Sequence, residues 1–341
     1  MTKSQNIVLG FSGGVDSTAA ALLLKKQGYN VHAVSLIMTE IEYTVYQIAE
    51  KLGIELHIID IRDAFHDKVI THTADQYAKG LTPNPCIACN KEIKWKYLFD
   101  FADKNNIENV ASGHYARIIH NEDSSFLAKD PVKVRDQSYF MYRIKREYLP
   151  RMVLPLGEFT RVQSEELLEA EGYLEMIRHR SRDLCILSAG SRSSIYEFLG
   201  KNIEFTSGDL YFADRQKIGE HKSLQSLTIG QRKGLGITWE YPLYVLDVDL
   251  EDKKAILGPK EMLKKTKFKI IDTNFLTNIP LDTFEAMVKI RNTHQGTMGN
   301  IFCDADSCEI ELCEPVMGVS PGQSAVFYDG DIVLGGGIIA R

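Results

Sequence analysis

The sequence has no apolar run long enough to cross a bilayer, no internal repeat and no low-complexity segment. The first absence excludes a spanning helix and any membrane partner that depends on one. The other two argue against a solenoid or a disordered tail. The leader Met1-Thr2-Lys3-Ser4-Gln5-Asn6 passes into a strand-like run without the apolar core of a secretion signal, so the expected compartment is the cytoplasm. Cysteine is sparse, with six in 341 residues. In a reducing compartment these are expected as thiols, metal ligands or redox catalysts rather than permanent bridges. A basic excess is missing too: 40 Lys and Arg against 46 Asp and Glu leave a net charge of −6. A uniformly basic nucleic-acid surface is thereby excluded, whereas a local basic face is not. The remaining composition is that of a globular protein with room for two or three domains.

The most informative stretch is Gly10-Phe11-Ser12-Gly13-Gly14-Val15-Asp16-Ser17. The strand-like Ile7-Val8-Leu9 leads in, and a helix-forming run from Thr18 to Gln27, closed by Gly28, leads out. A glycine-rich turn between strand and helix presents backbone N–H groups at a helix N-terminus, where they hold phosphate oxygens. Ser12 and Ser17 add hydroxyl donors. The loop lacks the lysine of the common mononucleotide loop and does not fit the dinucleotide fingerprint. Ser12 to Ser17 resembles the pyrophosphate loop of the ATP pyrophosphatases, which cleave ATP between the α and β phosphates and adenylate an oxygen of a second substrate.

Strand and helix signals then alternate. Val31 to Ile37 and Glu55 to Ile61 read as strands, and Ile41, Val45, Ile48 and Leu52 fall on one helical face that ends at Gly53. This alternation predicts an α/β domain with a parallel sheet covered on both faces and ligands at the C-terminal strand ends. Leu81 to Asn90 carries two prolines and is expected to be an irregular loop or flap. It holds Cys86-Ile87-Ala88-Cys89, and a helix is expected from about Lys91 to Asn105, capped by Asn90. Cys89 would then sit near a helix N-terminus, with Lys91 and Lys94 favouring its thiolate. Val110 to Ser112 reads as a strand ending at Gly113-His114-Tyr115. Thr160-Arg161-Val162-Gln163 is a capping box opening a helix to Glu171. Cys185 begins a short apolar run, and a short helix follows over Ser191 to Gly200. From about Asn202 the pattern changes to short β segments, and from about Lys267 to a small antiparallel barrel with Asp329-Gly330 as a hairpin turn. The expected domains are 1–200, a central β-rich 201–265, and a C-terminal antiparallel β-barrel 266–341.

Two basic stretches offset the acidic total. Lys91, Lys94 and Lys96 surround Trp95. Arg135, Arg143, Lys145, Arg146 and Arg151 interleave with Tyr139, Phe140, Tyr142 and Tyr148. Charge with aromatic faces suits splayed single-stranded RNA, while solvated helix faces over core aromatics give the same pattern.

Further segments extend the likeness. They are Leu81-Thr82-Pro83-Asn84-Pro85, Cys89-Asn90-Lys91-Glu92-Ile93-Lys94, Gly113-His114-Tyr115-Ala116-Arg117, Asp136-Gln137-Ser138-Tyr139-Phe140, Thr228 to Gly236, and Pro321 to Tyr328 continuing to Leu334-Gly335-Gly336-Gly337. In order and over the whole chain, they resemble the tRNA-specific 2-thiouridylases (the MnmA/TrmU type), a branch of the pyrophosphate-loop enzymes. The resemblance implies an adenine-nucleotide α-hydrolase-like N-terminal domain and an ATP-dependent tRNA-uridine 2-sulfurtransferase. In that chemistry ATP, with Mg²⁺, adenylates the C2 oxygen of the wobble uridine, and sulfur from a cysteine persulfide displaces AMP. By motif match Cys185 carries the persulfide, and Cys89 is the nucleophile that releases the sulfur and leaves a Cys89–Cys185 disulfide. Gly10, Phe11, Ser12, Gly13, Gly14, Val15, Asp16, Ser17, Leu36 and Gly113 would line the ATP site. Asn84, Pro85, Cys86, His114, Arg135, Asp136, Gln137, Arg291, Asn292 and Gln323 would contact tRNA. The implied partners are tRNA and a sulfur donor, either a sulfur-carrier protein or a cysteine desulfurase.

The chain departs from the family pattern in places. Cys86 stands where many members carry aspartate, so Cys86, Cys89 and Cys185 make a set that could hold a 4Fe–4S cluster instead of a persulfide. Residues 38–44 are shorter than usual, Leu36 and Arg135 replace a methionine and a lysine, and Lys289-Ile290-Arg291-Asn292-Thr293 differs at the expected tRNA contact. Cys303, Cys308 and Cys313 are expected to be structural, with Cys308 facing the barrel core. Two other classes fit parts of the pattern: another pyrophosphate-loop adenylating ligase, which would need no cysteines, and a non-catalytic RNA-binding relic, which would need no intact loop.

Overall fold

Ile7, Val8 and Leu9 are fully buried, so the first strand, β1 (Asn6–Gly10), lies mid-sheet. The computed structural model describes residues 5–38, 43–131, 135–177, 185–186, 195–213, 216–279, 283–304 and 306–341. β2 (Asn30–Ile37) and β3 (Glu55–Asp60) extend the sheet on one side of β1; β4 (Asn109–Ser112) and β7 (Met152–Val153) extend it on the other. All four pairings are parallel. Alternation along β1 divides the core. Ile7 and Leu9 pack against the helices Val15–Lys26, Tyr43–Leu52 and Arg161–Ala170, whereas Val8 faces Trp95, Leu98 and Phe99 of the helix Trp95–Lys104. The order β3-β2-β1-β4-β7 reverses at β1, which opens a crevice at the C-terminal ends of β1 and β4.

The proline-rich segment differs from expectation. Helix begins at Pro85, and Asn84 is its N-cap, accepting from Cys86 N at 3.1 Å and Ile87 N at 3.4 Å. Pro85 occupies a first-turn position, where its missing N–H costs no hydrogen bond. Asn90 is therefore not the N-cap; it follows Pro85–Cys89 as its C-terminal cap residue. It lies in a π-helical turn, Asn90–Lys94, and its amide donates to Phe140 O at 3.1 Å.

The central sheet has the order β10-β11-β8-β9, from β8 (Gly208–Phe212), β9 (Gln216–His221), β10 (Tyr244–Asp249) and β11 (Lys254–Gly258). The last domain is a closed barrel of six antiparallel strands: β12 (Lys264–Phe275), β13 (Thr283–Lys289), β14 (Thr297–Cys303), β15 (Ser307–Met317), β16 (Ser324–Asp329) and β17 (Ile332–Ile339). Pairing of β12 with β17 closes it. A hairpin of the first domain, β5 (Arg117–His120) and β6 (Ser125–Ala128), joins β17 at Ala128–Ile332. Cys308 is buried in the barrel core, but it is not a thiol. Strand register sets it opposite Cys303, and the two form a disulfide. This corrects the reading of these residues as unbridged cysteines: local hairpin geometry brings them together whatever the composition implies.

The second basic–aromatic stretch forms the junction between first domain and barrel. Tyr139 and Tyr142 are fully buried; Tyr139 Oη donates to Ser324 O at 2.8 Å, and Tyr142 Oη meets Ser324 Oγ at 2.9 Å. Arg143 pairs with Asp272, and Arg146 donates to Asn278 Oδ1 at 2.6 Å. These rings hold domains together and are not open faces for bases. Among the described residues no helix is long and apolar enough to cross a membrane. The expectations for residues 39–42, 181–184 and 191–194 lie outside the described residues.

Candidate active site

The glycine loop closes on itself through short side chains. Ser12 N donates to Ser17 Oγ at 3.2 Å, and Ser17 Oγ donates to Gly14 O at 3.2 Å. Gly13 has φ +69°, a left-handed conformation natural to glycine, and Gly14 caps the helix without a side chain. Asp16 Oδ1 accepts from Tyr115 Oη at 2.7 Å and from Arg161 Nη1 at 2.6 Å. The reciprocal Thr160–Gln163 capping box sets the turn that presents Arg161. The loop thus has a fixed carboxylate. Gly113, at the end of β4, lies against it so closely that a Cβ would fall 2.8 Å from the Asp16 carbonyl carbon and oxygen.

A cleft of about 240 Å³ opens over this loop. Of the residues expected for ATP, Gly10, Phe11, Ser12, Asp16, Ser17, Leu36 and Gly113 line it. Val15 instead packs in the core. Ser35, Met38, Lys94 and Ser112 also line the cleft and were not anticipated there. Ser35 and Ser112 carry no motif signal beyond their place at strand ends.

A second cavity of about 420 Å³ holds Cys86, Cys89 and Cys185, with Asn84, Pro85 and Gln323 around them. Gln323 reaches it from the barrel and donates to Thr82 O at 2.8 Å. Met38, Lys94, His114 and Gln137 line both cavities, so a single wall separates the phosphate loop from the thiols. His114 is buried against Trp95, its Nδ1 2.7 Å from Ser112 Oγ and its Nε2 3.4 Å from Lys94 Nζ. Burial first, and the Lys94 charge second, push its pKa well below the usual value and keep it neutral. With Lys94 donating to Nε2, the proton sits on Nδ1 and points to Ser112.

The expected thiolate at Cys89 is corrected. Cys89 ends the first helical stretch, Pro85–Cys89, instead of starting a helix. Burial raises its pKa to about 11, and the opposing effect of Lys94 is smaller. Lys91 pairs with Glu92. Burial likewise raises Cys86. Both thiols are therefore neutral near pH 7. Alkylation of Cys89 by a neutral reagent is expected to rise about tenfold per pH unit between pH 7 and 10, following the thiolate fraction. At pH 8 it should run at least about tenfold slower than that of exposed Cys313. Lys94→Gln should slow it further, because the lysine charge lowers the pKa. Mass spectrometry of timed digests checks this, and a Cys89 rate equal to that of Cys313 would refute it.

The other residues expected to contact tRNA are dispersed. Asp136 is buried, accepts from Ser138 N at 3.0 Å and faces Lys289 Nζ at 3.9 Å. Arg135 is exposed. Arg291 donates to Met317 O at 3.0 Å, and Asn292 Oδ1 is buried without a partner.

A parallel sheet with a phosphate-type loop at its switch point, and a thiol cavity behind one shared wall, defines a nucleotide-using α/β enzyme with two appended β domains. Residues 5–189 match the tRNA methyl transferase HUP domain, 196–259 the tRNA methyl transferase PRC-barrel domain, and 265–339 the aminomethyltransferase beta-barrel domain. The tRNA-specific 2-thiouridylase MnmA of Syntrophotalea carbinolica is 36% identical over 355 residues, covering 99% of both chains. That of Desulfotalea psychrophila is 36% identical over 340 residues, covering 97% of this chain and 98% of its own. The chain belongs to the tRNA-specific 2-thiouridylase MnmA family. Similarity to the solved NMN synthetase of Francisella tularensis is slight, at 20% identity and a TM-score of 0.34 over 53% of this chain and 67% of that one.

Proposed function

We propose that this protein is the ATP-dependent tRNA-uridine 2-sulfurtransferase of its family, working through a cysteine persulfide. The observation that carries the reading is the shared wall of Met38, Lys94, His114 and Gln137 between the loop cleft and the cysteine cavity. A uracil at that wall has its C2 oxygen toward the nucleotide and its C2 carbon toward the thiols. The oxygen attacks the α-phosphorus of ATP and diphosphate leaves into the Ser12–Ser17 loop, whose N–H groups and helix N-terminus stabilise it. Mg²⁺ would neutralise the phosphate charge; Asp16 is the carboxylate in reach, and with Oδ1 engaged by Tyr115 and Arg161 its Oδ2 is the remaining ligand atom. The terminal sulfur of a Cys185 persulfide, delivered by a sulfur-carrier protein or a cysteine desulfurase, attacks C2 and AMP leaves. The Cys89 thiolate then attacks the Cys185 sulfur, which frees the 2-thiocarbonyl and forms a Cys89–Cys185 disulfide that an external dithiol reduces. Lys94, beside both His114 and the thiols, opposes the burial that holds Cys89 protonated. Arg135, Arg291, Asn292 and Gln323 are proposed on the tRNA side. Asp136 is better explained as a junction residue.

The test incubates the protein with ATP, a sulfide or persulfide donor and unmodified tRNA, then digests the tRNA and looks for 2-thiouridine by mass. No thiolated nucleoside, under conditions where an active thiolase produces it, would sink the reading. One observation favours a second route: Cys86 joins Cys89 and Cys185 around the same cavity. These three could hold a 4Fe–4S cluster, which would supply an iron able to bind sulfide. Iron and sulfide analysis after anaerobic purification decides between the routes.

A further inference from the structure

The opposite edge of the parallel sheet carries a cluster that the thiolation chemistry does not use. β3 is an edge strand, paired in parallel to β2 with His32 against Glu55 and Val34 against His57. Alternation therefore puts His32, Glu55 and His57 on one face. His32 Nδ1 lies 3.2 Å from Glu55 Oε2, and His57 Nε2 lies 3.3 Å from Glu55 Oε1. One ligand atom from each of the three falls within 4.8 Å of the other two. Phe101 packs 4.7 Å from the His57 ring, and the His32 ring stacks 5.8 Å from it on the other pairing, so both imidazoles are held in place. His57 Nε2 is itself buried and makes no hydrogen bond despite its closeness to the carboxylate. Glu55 is largely exposed, which leaves one side of the cluster open to water.

These separations suit a metal. Two bonds of about 2.1 Å at a tetrahedral angle hold their ligand atoms about 3.4 Å apart. Two imidazoles and one carboxylate are a donor set for late first-row divalent ions, and an open side accepts water as the remaining ligand. We propose that His32, Glu55 and His57 form a binding site for one such ion, with Zn²⁺ as the probe. The ion ties edge strand β3 to β2. Val34, two strand positions beyond His32 and about 7 Å along β2, is the nearest residue of that strand to line the loop cleft, so the ion lies beside the cleft's β2 wall and not among the loop residues.

The cysteine cavity also attracts Zn²⁺, so the experiment separates the two sites. Full-length wild type, His32→Ala/His57→Ala and Cys86→Ser/Cys89→Ser/Cys185→Ser are titrated with Zn²⁺ against a chromophoric chelator under reducing conditions. The histidine variant is expected to bind one equivalent fewer than wild type, and the cysteine variant to keep that equivalent. Zn²⁺ should also raise the Tm of the cysteine variant by about 3 °C, and Glu55→Gln in the same background should lose most of that shift. If the double histidine variant does not fold, His57→Gln takes its place. Equal stoichiometry in wild type and the histidine variant, or a Tm shift untouched by Glu55→Gln, would overturn the site. None of these readouts depends on thiolation, so failure of the proposed activity leaves the test intact.

Discussion

Replacing Cys185 with serine is expected to abolish thiolation, lowering turnover at least about a thousandfold, or about 4 kcal/mol in the barrier. A hydroxyl cannot carry the sulfane sulfur, and no other group can hand sulfur to C2 in the persulfide route. Cys185 lines the thiol cavity and not the loop cleft, so nucleotide binding should survive. Equilibrium ATP binding and 2-thiouridine yield, measured side by side, separate the two effects. Cys89→Ser should also stop turnover, at the release step. Cys86→Ser distinguishes the routes: persulfide chemistry tolerates it within a few-fold, whereas a cluster on Cys86, Cys89 and Cys185 loses a ligand and its activity. Thiolation by Cys185→Ser at the wild-type rate would refute both.

Gly113→Ala should be nearly as damaging, for a steric reason. The new methyl would sit 2.8 Å from the carbonyl carbon and oxygen of Asp16 and 3.0 Å from Ser17 N. These are backbone atoms of the pyrophosphate loop, so no side-chain rotation relieves the clash, and β4 or the loop must move. Overpacking of this kind costs about 1–3 kcal/mol of stability. Misplacing the loop by a fraction of an ångström to 1 Å should lower kcat/KM for ATP by about a hundredfold. Alkylation of the cavity cysteines should change little, because Gly113 does not line their cavity. A variant with wild-type kcat/KM for ATP would show that the loop does not need this contact.

Much of the fold was legible because its signals are local. Strand–helix alternation, the glycine loop, the Thr160–Gln163 box and the Asp329-Gly330 turn each depend on neighbours in sequence, and each recurs in the structure. Misreadings came where local rules compete. Two prolines suggested a break, but Pro85 fits a first helical turn and Asn84 supplies the cap, so the helix starts early and carries Cys89 into its body. That shift turns an expected thiolate into a buried thiol. Tyr139 and Tyr142 carried a pattern that suits either stacking bases or filling a core, and the barrel packed against them decides for the core.

The sequence by itself determined the α/β class and the glycine-rich strand-to-helix loop, because spacing and residue type encode backbone geometry; the roles of Cys89 and Cys185 came from the family resemblance. Only the tertiary structure decided that Met38, Lys94, His114 and Gln137 form one wall between the loop cleft and the thiol cavity, that Arg161 and Tyr115 hold Asp16, and that His32, Glu55 and His57 converge. These residues are brought together by parallel strand register and by helices crossing the sheet, and such long-range pairing leaves no periodic mark along the chain.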